Sequence, residues 1–273
     1  EVLQSAGYRT ALFGKWHLGA KPGHGPLDQG FETYFGHLSG FIDNYRHFFL
    51  HGRGYHDLYD GNTEIFRRDE YYPDMMIDRA VLFIEANKAA PFFMTVAFNL
   101  PHYPMQPTAK FKDAYADLPM PRQAYARMIS SVDDHIGRVL DKLDATGLSD
   151  RTVVIFMSDN GWMLGEHGLT SKVLAYDPSA RIPLFIAGPG IEPGSQCDRL
   201  VSNLDIAPTV LDFAGLAVPG SYQGHSLRPL LTGEKDSIRD AALSYWRSAV
   251  SIRTADHRLI TSRGKNGPTK TEL

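Results

Sequence analysis

The chain has 273 residues, with 28 Lys and Arg against 31 Asp and Glu for a formal net charge of −3, and it is 43% hydrophobic. This is ordinary globular composition, long enough for one large α/β domain or a core with a small appendage. The charge balance excludes a global basic field for nucleic acid or an anionic membrane, so no nucleic-acid partner is expected and any positive potential must be local. The single cysteine, Cys197, excludes an internal disulfide framework and a cysteine-rich zinc site, and no run approaches the ~18 apolar residues of a membrane span.

Residues 1–6 read as the last turns of an amphipathic helix stopped by Gly7. Residues 8–13 predict a strand ended by Gly14. Residues 20–72 are rich in Gly, Pro and aromatics, with short strands near Phe48 and Ile65; the mixture suits either a pocket wall or buried loop anchors. Pro73 opens a helix to about Asn87 through Met76, Ile77, Ala80, Val81 and Ile84. Residues 92–98 predict a strand, apolar except at Thr95, and a Pro-rich loop over 101–121 follows. The longest helix carries the stripe Tyr125, Met128, Ile129, Val132, Ile136, Val139, Leu140 and Leu143, closed by Gly147.

Residues 152–157, β-branched and apolar on both faces, predict a central parallel strand, and 182–187 another strand ended by Gly188-Pro189-Gly190. Residues 204–213 predict a short helix, and from about Ala241 alternating runs at 242–246, 251–253 and 259–261 predict an antiparallel appendage. The expected fold class is α/β: a doubly wound, mostly parallel sheet with helices on both faces. The expected division is a main domain over 1–235 and the start of a small C-terminal antiparallel subdomain over 236–273. The chain reads as beginning in mid-element and stopping after a polar loop, so it is expected to be a piece of a longer protein.

Three polar clusters each follow an apolar strand: Gly14-Lys15-Trp16-His17, Asn99-Leu100-Pro101-His102 and Ser158-Asp159-Asn160-Gly161. In open α/β sheets, ligands bind outside the carboxyl ends of the strands, so the three together point to an anion-handling site. An extended backbone puts Lys15 and His17 on one face, where a point cation suits an oxyanion and a histidine carries protons; a solvated Lys beside a packed Trp-His pair is the plainer alternative. Asp159 and Asn160 offer hard oxygen ligands suited to calcium or magnesium, although Asp-Asn-Gly is also an ordinary turn signal. His102 stands between two prolines, stiff enough for a catalytic or substrate-binding role or simply a rigid loop. Lys172 lies 13 positions after Asp159, close enough in sequence to return to the same place.

Asp133-Asp134-His135 falls in the long helix and reads as a solvated helix face. His37, His47, His51 and His56 resemble a ligand set only by count, with spacings that match no zinc pattern. No phosphate-cradling glycine fingerprint and no Gly-x-Ser-x-Gly elbow occurs in the chain.

Taken in order, these residues resemble the sulfatase family of the alkaline phosphatase superfamily. The run Gly7-Tyr8-Arg9-Thr10-Ala11-Leu12-Phe13-Gly14-Lys15-Trp16-His17-Leu18-Gly19 resembles the family's second signature along its whole length. Pro101-His102-Tyr103-Pro104, Ser158-Asp159-Asn160-Gly161, Lys172 and Arg181-Ile182-Pro183 follow in the family's order. Gly30-Phe31-Glu32-Thr33-Tyr34-Phe35-Gly36 is similar to arylsulfatases, and Leu164-Gly165-Glu166-His167-Gly168 to iduronate and choline sulfatases.

The resemblance implies a sulfuric ester hydrolase that cleaves an aryl or carbohydrate sulfate monoester with calcium and a formylglycine nucleophile. Asp159 and Asn160 would bind the calcium. Lys15 and Lys172 would hold the nucleophile and the sulfate, His102 would contact the ester and protonate the leaving alcohol, and His17 would take the proton that lets sulfate leave. The formylglycine motif Cys/Ser-x-Pro-Ser-Arg is absent from the 273 residues; the family carries it, with two further calcium-binding aspartates, in a segment before this one. The expectation is therefore that this stretch alone is inactive. Family resemblance also implies export to a periplasmic, secreted or lysosomal-type compartment. The alternatives are a phosphodiesterase or phosphonate monoester hydrolase on the same fold, or a non-catalytic relative that binds sulfated glycans.

Overall fold

A computed structural model describes residues 1–263 and 269–273. The chain packs as two compact units, Glu1–Ser149 and Asp150–Leu273. In the first unit the elements run α1 (Val2–Ser5), β1 (Arg9–Lys15), β2 (Thr33–His37), β3 (Phe48–Phe49), β4 (Tyr55–His56), β5 (Tyr59–Asp60), β6 (Thr63–Glu64), α2 (Tyr72–Asn87), β7 (Phe92–Ala97) and α3 (Arg122–Ala145). The sheet order is β6-β5-β2-β1-β7. β1 is parallel to both β2 and β7, while β5 and β6 add an antiparallel edge and β3 pairs with β4 as a separate hairpin.

β1 sits centrally because both its faces are apolar. Ala11 and Phe13 join Phe35 and the Met76, Ile77, Ala80 and Phe83 stripe of α2 in one core, and Phe13 meets Phe83 edge-on at 5.8 Å. Leu12 and Tyr34 are buried on the opposite face, as alternation along a strand requires. The strand does not end at Gly14, as expected, but runs on to Lys15. The glycine serves close approach: a Cβ on Gly14 would lie 2.0 Å from the Ala97 carbonyl oxygen, and one on Gly36 1.8 Å from that of Gly14. β2 falls within the region read as loop.

α3 meets the α2 core through Val139 and through Lys142 with Glu85 at 3.3 Å and Arg138 with Asp78. Tyr125, Met128, Val132 and Ile136 of its predicted stripe pack with Phe98 and Leu100 instead, and Ile129 and Leu140, expected in that stripe, are exposed. The solvated-face expectation holds for exposed Asp133 but not for His135, which is buried. Residues 128, 132 and 135 fall on one helical face, so the His135 imidazole turns inward, where its Nε2 bonds Asp74 Oδ1 at 2.8 Å.

The second unit contains β8 (Val154–Met157), β9 (Met163–Leu164), β10 (Thr170–Ser171), α4 (Asp177–Ala180), β11 (Leu184–Ala187), α5 (Ile206–Phe213), α6 (Arg228–Leu231), β12 (Ala242–Trp246), β13 (Ala249–Arg253), β14 (Arg258–Arg263) and β15 (Thr269–Glu272). β8, expected as a parallel strand, pairs with β11 antiparallel, Met157 opposite Leu184 and Val154 opposite Ala187. Apolar residues on both faces do not set the direction of the neighbouring strand, which is why its composition misled; β8 itself is half-buried, with Phe156 exposed. β12 to β15 form the expected antiparallel meander. The boundary expected at 235/236 lies inside this unit, shortly before that meander. Buried Asp205 ties the start of α5 to later chain: its carboxylate accepts from the backbone N–H of Ser202 at 2.7 Å and of His225 at 2.8 Å, and pairs with Arg239.

Candidate active site

The carboxyl ends of β1 and β2 are built by register. Phe13 lies opposite Phe35, Gly14 opposite Gly36 and Lys15 opposite His37. Beyond β1 the Trp16 N–H donates to the His37 carbonyl at 2.9 Å and the His17 N–H to that of Leu38 at 3.1 Å. The expected alternation stops there: His17 has φ +53°, a left-handed turn that takes its side chain out of the Lys15 series. Trp16 is fastened away from it, with Nε1 donating to the carbonyls of His24 at 2.8 Å and Gly19 at 3.1 Å. The His17 ring lies against Gly40, where a Cβ would stand 2.9 Å from both Cε1 and Nε2.

His37, set aside on sequence grounds as one of four histidines, lies at this edge and is fully buried. Its Nδ1–H donates to the Ser39 carbonyl at 2.9 Å, which fixes the tautomer. Burial pushes its pKa down to about 4; Lys15 and His17 push the same way and Asp57 opposes. Asp57, 1% exposed, holds the turn after β2 by accepting from the N–H of Leu38 at 2.9 Å and of Ser39 at 2.8 Å. Sequence reasoning missed both. The signal for His37 was there: Phe13-Gly14-Lys15 and Phe35-Gly36-His37 are the same pattern on two strands. Asp57 had none, being held through a contact distant in sequence.

His102 follows β7. Its N–H donates to the Asn99 carbonyl at 3.1 Å. Asn99 is itself buried, with Nδ2 donating to the Ile42 carbonyl at 3.1 Å and Asn44 Oδ1 at 2.9 Å. The Leu100-Pro101 and Tyr103-Pro104 bonds are cis. The His102 Nδ1–H donates to the Tyr103 carbonyl at 3.0 Å, and the ring stacks on Phe41 at 4.6 Å with planes 14° apart. Gly40 seats His17 and the adjacent Phe41 seats His102, so one short segment carries both imidazoles. Lys15, His17 and His102 thus gather at the strand ends of the first unit.

Asp159, Asn160 and Lys172 lie in the second unit. The segment after β8 is a self-bonded turn: Ser158 Oγ donates to the Asn160 carbonyl at 2.6 Å and the Asn160 N–H to Asp159 Oδ1 at 2.9 Å. It is pinned by the Gly161 N–H donating to the Ser179 carbonyl at 2.8 Å. The β9-β10 hairpin returns Lys172 to it, with Nζ 5.9 Å from the centre of the Trp162 ring. Asp159 and Asn160 match the hard oxygen donors calcium takes, two where a calcium ion needs roughly six to eight. Among the described residues no group of three or more His, Cys, Asp or Glu could hold a metal ion. The donor chemistry of the pair fits calcium.

A family model described as Sulfatase matches residues 1–216. The choline-sulfatase of Rhizobium meliloti is 32% identical over 330 residues, covering 94% of this chain and 61% of that protein. The N-acetylglucosamine-6-O-sulfatase of Bacteroides thetaiotaomicron is 27% identical over 375 residues, covering 95% and 63%. The chain therefore spans about three-fifths of the length of these relatives. A solved protein in complex with its substrate D-glucosamine-2-N,6-O-disulfate matches with TM-score 0.77 and 26% identity over 99% of this chain and 74% of that one. A phosphonate monoester hydrolase from Silicibacter pomeroyi, at TM-score 0.75 and 20% identity over 98% and 72%, shares the fold alone. The architecture is alkaline phosphatase-like, and with the family model matching residues 1–216 the chain belongs to the sulfatase family.

Proposed function

We propose that the protein containing this chain hydrolyses a sulfate monoester of a carbohydrate or aryl alcohol, and that Lys15, His17, His102, Asp159, Asn160 and Lys172 serve that one reaction. The observation that carries this reading is the assembly at the ends of β1, β2 and β7: one ammonium and two imidazoles, held by strand register, Gly40 and Phe41. Cations positioned before the substrate arrives stabilise an oxyanion without reorganisation. Lys15 and Lys172 bind the sulfate oxygens. His102, with its proton on Nδ1 in this state, faces the leaving oxygen with Nε2 and, once protonated there, delivers that proton to the alcohol. His17 accepts a proton on the nucleophile side.

Asp159 and Asn160 would hold calcium, which when bound supplies positive charge to the sulfate oxygens. The formylglycine is not encoded within the 273 residues, since none of them forms a Cys/Ser-x-Pro-Ser-Arg run; by themselves they are proposed to bind without turnover. Export is proposed as well. It is supported by a Drosophila melanogaster relative named extracellular sulfatase SULF-1 homolog, 26% identical over 94% of this chain and 25% of that protein. No described helix is long and apolar enough to cross a membrane.

The test is turnover by the full-length protein of p-nitrophenyl sulfate, N-acetylglucosamine-6-sulfate and choline sulfate, against p-nitrophenyl phosphate and a phosphonate monoester. Preference for a sulfate ester supports the reading. Preference for the phosphorus esters, or glycan binding with no turnover, overturns it.

A further inference from the structure

We propose that His37 is a positioning residue for Lys15, its Nε2 serving as a buried neutral acceptor that takes one ammonium N–H and aims the others at the bound anion. The proposal rests on the reading of Lys15 as a sulfate ligand and adds a residue to it.

Three observations carry it. Lys15 and His37 are register partners on adjacent parallel strands, and such partners stand side by side on one face about 4.8 Å apart. The Nδ1–H is committed to Ser39, so Nε2 carries a lone pair, and that atom is buried with no partner among the described residues. Leaving a buried acceptor unmade is costly, so the site calls for a donor. The charged groups around His37 are Lys15, His17 and Asp57. Asp57 cannot donate and already accepts two backbone N–H groups, and the His17 ring is seated on Gly40.

The remaining candidate is the Tyr72 hydroxyl, also buried without a partner among the described residues, on a ring edge-on to His37 at 5.4 Å. A phenol has one proton to give. An ammonium has three, and can serve Nε2 and an oxyanion together. The depressed pKa of His37 keeps it an acceptor at neutral pH.

The experiment compares His37→Gln, which keeps an acceptor near Nε2, with His37→Met, nearly the same shape without one, in the full-length protein. The readouts are kcat and KM on p-nitrophenyl sulfate, inhibition by inorganic sulfate, and melting temperature. A hydrogen bond to a charged group is worth about ten- to hundred-fold. His37→Met should lose about that much in kcat/KM and sulfate affinity, and His37→Gln should recover most of it at equal melting temperature. Equal activity of the pair overturns the proposal, and so does an equal loss in Tyr72→Phe, which assigns the acceptor to the phenol. Titrating the unaltered protein with inorganic sulfate must also move the His37 Nε2 nitrogen resonance more than Nδ1; no movement overturns the proposal even if both variants misfold. An unaltered protein that neither hydrolyses a sulfate ester nor is inhibited by sulfate would instead defeat the sulfatase reading itself.

Discussion

The ends of β1 and β2 and the turn after β8 present charged groups by opposite means. At the first, Lys15, His37 and Asp57 are placed by strand register and burial: His37 and Asp57 lie within the interior, and Asp57 holds backbone from 18 and 19 residues away. At the second, bonds among Ser158, Asp159 and Asn160 shape the turn, the Gly161 N–H bond to the Ser179 carbonyl pins it, and Asp159 is exposed. A platform made by packing couples function to stability, because its side chains also hold the fold. A turn shaped largely by its own bonds can lose a side chain and leave the fold standing.

The largest expected effect is on the packed side. Lys15→Ala in the full-length enzyme should lower kcat/KM on a sulfate ester by about 10²–10³, the scale seen when one charge-stabilising donor is removed; a loss below ten-fold takes Lys15 out of the site. Asp57→Ala leaves two N–H groups unpaired next to His37, at about 1–3 kcal/mol each. Chemical denaturation should show a loss of several kcal/mol, and a neutral result would break the coupling of fold and function there.

His37 makes that coupling depend on pH. Its folded pKa of about 4 lies below the ordinary 6.5, so as pH falls the unfolded chain takes the proton first. Stability is lost from pH 6.5 downward toward 4. Lys15 and His17 drive the shift along with burial, Asp57 opposes it, and the Tyr72 ring faces the imidazole. Between pH 7 and pH 5 the loss should be about 2 kcal/mol, and His37→Met should flatten that slope in urea unfolding.

On the local side, Asp159→Ala should weaken calcium binding about ten-fold or more by calorimetry, through loss of one carboxylate ligand. Its melting temperature in chelator should match the unaltered protein; a drop like that of Asp57→Ala would erase the contrast between the two regions. The smallest effect is Gly40→Ala, whose Cβ would meet the His17 ring at 2.9 Å. The ring must shift, so kcat should fall a few-fold with little change in unfolding free energy.

Much of this site was legible because its residues sit at strand ends, and strand ends show in a linear sequence as an apolar run meeting polar residues. Lys15, His102 and Asp159 were singled out that way, and buried Met128, Val132 and Leu143 on α3 came from helical period alone. His17 was expected to share the Lys15 face and does not follow that course, because a single left-handed residue leaves no mark on hydrophobic alternation. His135 was read as solvated for want of knowing that α2 covers it.

What the sequence by itself determined is which residues are apolar, where each run stops, and which charged groups wait at those stops; these are local properties, carried by side-chain chemistry and period. Only the tertiary structure decided that β8 pairs antiparallel with β11, that Asp57 closes the turn after β2, and that His37 stands beside Lys15. Each of those depends on register and on partners distant along the chain, set by the packing of whole faces against one another, which no single segment encodes.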